Sequence, residues 1–254
     1  MRSCGTEAYL QSSITPMLTT IFFDAGNTLV FANLKRTLAA LHARGIRPKP
    51  EQLHAAERQA KSELDQANTA PGRYTDRQYW DSYYSFLLKS LGIEDSQLHE
   101  SLVTASRTSG NWDVVRPGTR ENLLKLGSKY RLGVISNSDG GMEKLLRSCG
   151  LGECFLGYTD SGHVGHEKPH PAIFQAALQQ LAAKPESSLY VGDVYSVDYV
   201  GATRAGMQAM LFDVSGTYRE SGLPRVESLE ELNQIFTTED TEHTEGTNSK
   251  NQPC

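Results

Sequence analysis

The chain has 254 residues, a formal net charge of -5, 38% hydrophobic residues and 22% charged residues. That length suffices for a substantial buried core, and the acidic balance argues against nucleic-acid binding, which needs a concentrated basic face. No apolar run approaches the roughly 20 residues that a membrane span requires, and the polar start MRSCGTEAYLQSSITPM lacks the apolar stretch of a secretory signal, so a cytoplasmic location is expected.

Residues 1–16 are polar, precede Met17 and are expected to form a disordered extension. The stretch TTIFFD follows, an apolar run ended by Asp24 and then by Ala25, Gly26 and Asn27. This is the pattern of a buried strand delivering a carboxylate to a loop. From Phe31 the periodicity becomes helical. One stripe reads Phe31, Leu34, Leu38 and Leu41 and stops at Gly45; a second reads Leu53, Ala56, Ala60 and Leu64. A third reads Tyr79, Tyr83, Phe86 and Leu87 and stops near Gly92, and a fourth contains Leu98, Leu102 and Val103. These stripes predict an all-helical block over residues 31–113. Its aromatic segment RYTDRQYWDSYYSF reads as core packing, because aromatic residues at helical spacing more often fill a core than a ligand box. Arg73, Arg77, Lys35 and Lys61 read as solvated surface charges.

Beyond the block, helix and strand alternate. PGTRENLLKL reads as helix, RLGVIS as strand, GMEKLLRSCG as helix closed by glycine and CFLGYTD as a short strand. PAIFQAALQQL is again helical, SLYVGD a strand, VDYVGATRAG a helix and QAMLFD a strand. Such alternation signals βαβ units and a mainly parallel sheet. TTIFFD lies on the far side of the helical block, so the block is inserted into an α/β domain made of residues 17–30 and 114–236. The fold expected is a Rossmann-like parallel sheet with an inserted all-α cap. Residues 237–254 are polar and are expected to be a disordered tail. Cys4, Cys149, Cys154 and Cys254 are too scattered for a disulfide framework. Cys149 and Cys154 with His163 and His166 match no compact zinc spacing and read as ordinary thiols.

In open parallel sheets the site lies beyond the carboxyl ends of the strands. Asp24, Ser136 and Asp193 each end a predicted strand, so they are expected to converge on one crevice. Any one of them alone would read as a helix N-cap. Lys168, before Pro169 and Pro171 at the start of a helix, falls between two of these strand ends and joins the candidate set.

These elements, DAGNT with Asp24 and Thr28, VISNS with Ser136, EKPHP with Lys168, and VGDVYSVD with Asp193 and Asp198, resemble in order and spacing the motifs of the haloacid dehalogenase-like hydrolase superfamily. The resemblance spans about residues 18–215, and its most specific part is the last motif continued by YVGATRAGM. The helical insertion is similar to the C1 cap of subfamily I, which closes over the crevice. The resemblance implies that Asp24 is a nucleophile forming a covalent aspartyl intermediate. It implies Mg²⁺ held by the Asp24 carboxylate, the Gly26 backbone carbonyl and Asp193, with Asp198 either ligating through water or orienting Lys168. Ser136, Asn137, Thr28 and Lys168 would bind the phosphoryl group of a small phosphorylated metabolite, Lys168 neutralising charge between nucleophile and phosphate.

The sequence departs from the family at Gly26, where the phosphatases carry a second aspartate that protonates the leaving alkoxide, and at Asn27, the usual glycine. Such acid-base help contributes roughly 10²–10⁴-fold. Four readings stand: a Mg²⁺ phosphatase whose leaving group needs no proton or whose acid comes from cap or substrate; a dehalogenase; a phosphonate-type hydrolase with a cap lysine as Schiff base; and a non-catalytic binding protein. Dehalogenases work without the metal that Asp193 and Asp198 suggest. A pure binding module gains little from a nucleophile, so the phosphatase reading leads.

Overall fold

The structure, a computed structural model, describes residues 18–67 and 76–236. The expectations for residues 1–16 and 237–254 and for Arg73 lie outside the described residues. Six parallel strands form one sheet: β1 Thr20–Phe23, β2 Arg131–Ser136, β3 Gly157–Asp160, β4 Ser188–Gly192, β5 Gln208–Phe212 and β6 Arg225–Val226, in the order β3-β2-β1-β4-β5-β6. β1 is central, with Phe22 registered against Gly133 on one side and Tyr190 on the other. Its residues are all buried, as expected of a parallel strand covered on both faces. Alternation sends Ile21 and Phe23 to one face, against Leu123, Leu126 and Leu146, and Phe22 to the other, against Ile173, Phe174 and Ala177. The chain builds outward from β1 through β2 and β3, then returns to place β4 on β1's other side. A crevice opens at that reversal, beyond the carboxyl ends of β1 and β4.

The helices that cover the sheet are α5 Thr119–Gly127, α6 Met142–Ser148, α7 Ser161–Val164, α8 Pro171–Gln180 and α9 Val200–Arg204, with a last helical stretch over 229–236. Between β1 and α5 lie four helices: α1 Leu34–His42, α2 Pro50–Ala67, α3 Asp76–Ser90 and α4 Ser96–Ser106. They bury a core of their own from Leu41, Ala60, Leu64, Tyr83, Leu87 and Leu98, so the predicted stripes do face inward. Val194 and Val197, just after β4, pack against this second core and join the helical layer to the sheet at the crevice.

Two local predictions are corrected, and one strand is added. Phe31 stands outside the first helix: its N–H donates to Val114 O at 2.8 Å and its carbonyl accepts from Val114 N at 3.2 Å. This antiparallel bridge ties together the points where the chain leaves and re-enters the sheet domain. The helix read from VDYVGATRAG starts with a π turn over Tyr195–Tyr199, a distortion common at functional sites. β6 is two residues long, too short for a period-2 pattern, and the sequence reading passed it by.

Candidate active site

Asp24 continues β1 by donating its N–H to Val191 O at 2.8 Å, which aims its side chain past the strand end. The turn behind it closes by Leu29 N–H to Ala25 O, 2.9 Å, and Asn27 N–H to Val30 O, 2.8 Å. Asn27, with φ of 54°, takes the left-handed conformation in this turn, one that asparagine tolerates better than most residues. Gly26 does not take it. A Cβ at Gly26 would lie 3.4 Å from Cζ3 of Trp112, whose indole Nε1–H is fixed to Ser106 O at 2.8 Å. The space an aspartate would extend into is bounded by that ring.

Lys168 is the hub of the floor. Its ammonium donates to Asp24 Oδ1 at 2.5 Å, Asp198 Oδ1 at 2.8 Å and the Tyr190 hydroxyl at 2.8 Å. Three donors thus meet three acceptors. Its backbone is clamped by Asn137, whose Oδ1 accepts from Lys168 N–H at 2.6 Å and whose Nδ2 donates to Lys168 O at 3.1 Å. Asp198 also accepts from Tyr190 OH at 3.0 Å and from Val194 N–H at 3.0 Å. Both its oxygens are engaged, Oδ1 by Lys168 and Tyr190 and Oδ2 by Val194 N–H. Gly192 makes room for it, since a Cβ there would lie 2.6 Å from Asp198 Cγ.

Asp193 meets a different cation. Lys61 of α2 donates to Asp193 Oδ2 at 2.5 Å and reaches the Asp193 carbonyl at 3.4 Å, with its side chain 13% exposed. The surface reading of Lys61 is therefore corrected: α2 lies over the crevice, and the lysine stem spans the gap. Arg77 keeps its surface reading, being half exposed and paired with Glu100 at 3.0 Å, and Lys35 is exposed.

Carboxylate oxygens of Asp24, Asp193 and Asp198 all lie within 4.8 Å of one another, and all three residues are buried. Burial pushes the Asp24 pKa up to about 7, with Asp198 and Asp193 adding to the rise against the lowering by Lys168. Burial likewise raises Asp193, despite Lys61. Burial penalises the Lys168 ammonium too, but Asp198 and Asp24 outweigh it and push its pKa up. A cluster of hard oxygen donors whose charges are costly to bury fits Mg²⁺. Above the carboxylates is a cavity of about 140 Å³. Ser136 and Asn137 line it at the end of β2, and Tyr79, Trp80 and Trp112 line it from the helical side. Thr28 does not line it; the residue is buried and its Oγ1 has no hydrogen-bond partner among the described residues. Thr28 belongs to the turn behind Asp24, where its N–H donates to Ala25 O at 3.4 Å.

The sequence profile of the haloacid dehalogenase-like hydrolases matches residues 18–206. The chain belongs to this family. The glyceraldehyde 3-phosphate phosphatase of Methanothermobacter thermautotrophicus is 34% identical to this haloacid dehalogenase-like hydrolase over 216 residues, covering 80% of this chain and 89% of the relative. Among solved structures, a HAD-hydrolase of Bacillus subtilis bound to magnesium superposes with a TM-score of 0.62 at 20% identity, covering 87% of this chain and 99% of that one. The L-2-haloacid dehalogenase of Xanthobacter autotrophicus with chloropropionic acid covalently bound gives 0.55 at 19% identity, covering 87% and 99%. These two likenesses establish the shared fold.

Four residues of this haloacid dehalogenase-like hydrolase escaped sequence reasoning. Tyr190 lies in the apolar run of β4, where nothing marks its hydroxyl as a partner of Lys168. Lys61 and Trp112 reach the crevice only because the helical layer folds back over the sheet. Asp160 had a visible signal, a carboxylate ending CFLGYTD before Ser161 and Gly162. It accepts from the Ser138 hydroxyl, from Gly140 N–H at 3.0 Å, Met142 N–H at 3.2 Å and Gly162 N–H at 2.9 Å, and so pins the loop after β2 that carries Asn137. Among the described residues Cys149 and Cys154 are free, and burial raises both pKa values, which favours the thiol form.

Proposed function

We propose that this hydrolase is a Mg²⁺-dependent phosphatase of a small phosphorylated metabolite, with Asp24 as its nucleophile. The observation that carries the reading is the joint placement of Lys168 on Asp24 and Asp198 with the Asp193 carboxylate beside them. Lys168 holds Oδ1 of Asp24, and the other oxygen, Oδ2, would attack phosphorus as the bond from phosphorus to the leaving oxygen breaks. The product of that step is an aspartyl phosphate and a free alcohol or its anion. Water attacking the same phosphorus then returns inorganic phosphate and the Asp24 carboxylate. Lys168, locked by three acceptors, neutralises charge between nucleophile and phosphoryl group without needing to move. Ser136 and Asn137 lie where the phosphoryl oxygens would be bound. Asp24 and Asp193, with the Gly26 carbonyl, would hold Mg²⁺, which supplies positive charge to the phosphoryl oxygens when bound; Asp198 is committed to Lys168.

The named activity of the 34% identical relative supports a three-carbon phosphate ester as substrate, and the small cavity agrees with that size. Lys61 invites a second reading, a cap lysine forming a Schiff base with an aldehyde. Burial works against the Lys61 ammonium, yet Asp193 outweighs burial and raises its pKa. A lysine held charged is a poor amine nucleophile, so the phosphatase reading is preferred. The test is phosphate release from glyceraldehyde 3-phosphate with Mg²⁺, with chelator, and by Asp24→Asn. Release should occur in the first case alone; release that persists with chelator would refute the metal dependence.

A further inference from the structure

The contact between α2 and the segment after β4 is built from two residues on one helical face. Lys61 sits on Asp193, and Asp65, one turn later and therefore on the same side of α2, accepts from Ser196 N–H at 3.3 Å and from the Tyr218 hydroxyl at 2.7 Å. Tyr218 OH in turn accepts from Tyr195 N–H at 3.2 Å. The grip therefore falls on residues 193–199, the segment that supplies both Asp193 and Asp198. Val194 and Val197 of the same segment pack into the helical layer. Closure of the helical layer and the disposition of the cation-binding carboxylate are set by one contact.

We propose that Lys61 and Asp65 make α2 a closure arm that competes with the divalent cation for Asp193. This rests on the metal reading given above. An ammonium 2.5 Å from Asp193 Oδ2 and a divalent cation on the same carboxylate are like charges at contact distance, and their repulsion is large in a buried site. Without the cation, Lys61 substitutes a positive charge beside the three clustered carboxylates and helps hold the crevice shut. With the cation bound, Lys61 is displaced and the arm loses one of its anchors. Linkage is reciprocal, so a change that loosens the arm also tightens cation binding, by at most the coupling between the two.

The signs of two substitutions separate this from a bare charge effect. Titration calorimetry with Mg²⁺, and with Mn²⁺ as a second probe, is performed on the full chain and on Lys61→Gln, Asp65→Ala and Tyr218→Phe. Lys61→Gln should bind the cation about tenfold more tightly, within the usual range of coupling between sites. Asp65→Ala removes a negative charge near the site, so electrostatics alone predicts weaker binding; the closure arm predicts binding several-fold tighter. Tyr218→Phe changes no charge, serves if Asp65→Ala fails to fold, and should shift affinity in the same direction by roughly twofold. Hydrogen exchange supplies a second readout: Mg²⁺ should speed exchange of α2 and of residues 195–199 in the wild type and have little effect in Lys61→Gln. Tighter binding by Lys61→Gln alone, with Asp65→Ala and Tyr218→Phe unchanged or weaker, would overturn the arm and leave only a local charge effect. Equal affinity in all four proteins would likewise overturn it while leaving the metal reading intact. No cation binding in any of them would overturn the metal reading and the inference together.

Discussion

Lys168 and Lys61 each place an ammonium 2.5 Å from a carboxylate of the crevice, yet the two pairs are built differently. Lys168 comes from the sheet domain, its backbone fixed by Asn137, and its ammonium meets Asp24, Asp198 and Tyr190. Lys61 comes from the helical layer, and among the described residues its ammonium hydrogen-bonds only Asp193, at its side chain and its carbonyl. One charge is fixed by the sheet domain. The other arrives on a layer that has a separate hydrophobic core. The difference teaches where rigidity belongs in such a site: charge that stabilises a transition state gains from preorganisation, whereas charge on a cover has to leave if the cover is to open.

Breaking the fixed half should have the largest effect. Asp24→Asn keeps the shape of the nucleophile and removes its charge, so turnover should fall by about 10⁴-fold or more while far-ultraviolet circular dichroism stays native. Undiminished turnover would place the reaction elsewhere.

The next largest effect concerns Gly26. Without an acid at that position, turnover should depend steeply on the leaving group, with acyl or p-nitrophenyl phosphate ahead of alkyl phosphates by up to roughly the 10²–10⁴-fold that general acid catalysis supplies. Gly26→Asp should recover part of that for alkyl esters, and less than the full factor because Trp112 bounds the space. Steady-state kinetics on a leaving-group series reads both. Equal rates for aryl and alkyl esters in the wild type would mean that another group delivers the proton.

Stability sharpens the contrast between the two lysines. Lys168→Ala leaves Asp24 and Asp198 buried without their cation and should cost about 3–5 kcal/mol, as expected when a buried pair loses one partner. Lys61→Ala leaves one buried carboxylate, Asp193, without its cation instead of two and should cost less. Denaturant titration of both variants checks this, and equal losses would erase the distinction.

The last effect is in pH. Burial raises the Asp24 pKa to about 7, so the cation-free folded state holds that proton more tightly than the unfolded chain does. The stability this contributes is complete below the ordinary aspartate pKa and is lost as pH rises through about 7. Relative to Asp24→Asn, the wild type should therefore become progressively less stable between about pH 4 and pH 7 in chelator, and Mg²⁺ should remove much of the difference. Parallel melting curves that do not diverge with pH would contradict it.

Much of this arrangement is legible in the sequence because the sheet is. RLGVIS coincides with β2, and SLYVGD and QAMLFD with β4 and β5 plus one aspartate each; a parallel sheet then obliges Asp24, Ser136 and Asp193 to meet. Lys61 and Asp65 were not legible. On a helix whose buried stripe is Ala56, Ala60 and Leu64, two flanking charges look solvated until the helix is known to cross the strand ends. Trp112 was missed for the same reason, and Phe31 because a helical stripe extended backward by one turn looks no different from one that starts at Leu34.

The central claim, that Asp24 itself receives the phosphoryl group, is tested most directly by acid quench during turnover of an aryl or acyl phosphate with Mg²⁺, followed by peptide mass spectrometry. The account predicts one phosphoryl group on the peptide containing Asp24, convertible by borohydride to homoserine at that position and absent from Asp24→Asn. Turnover with no phosphorylated peptide at any quench time, or with the phosphoryl group on a different residue, would contradict it.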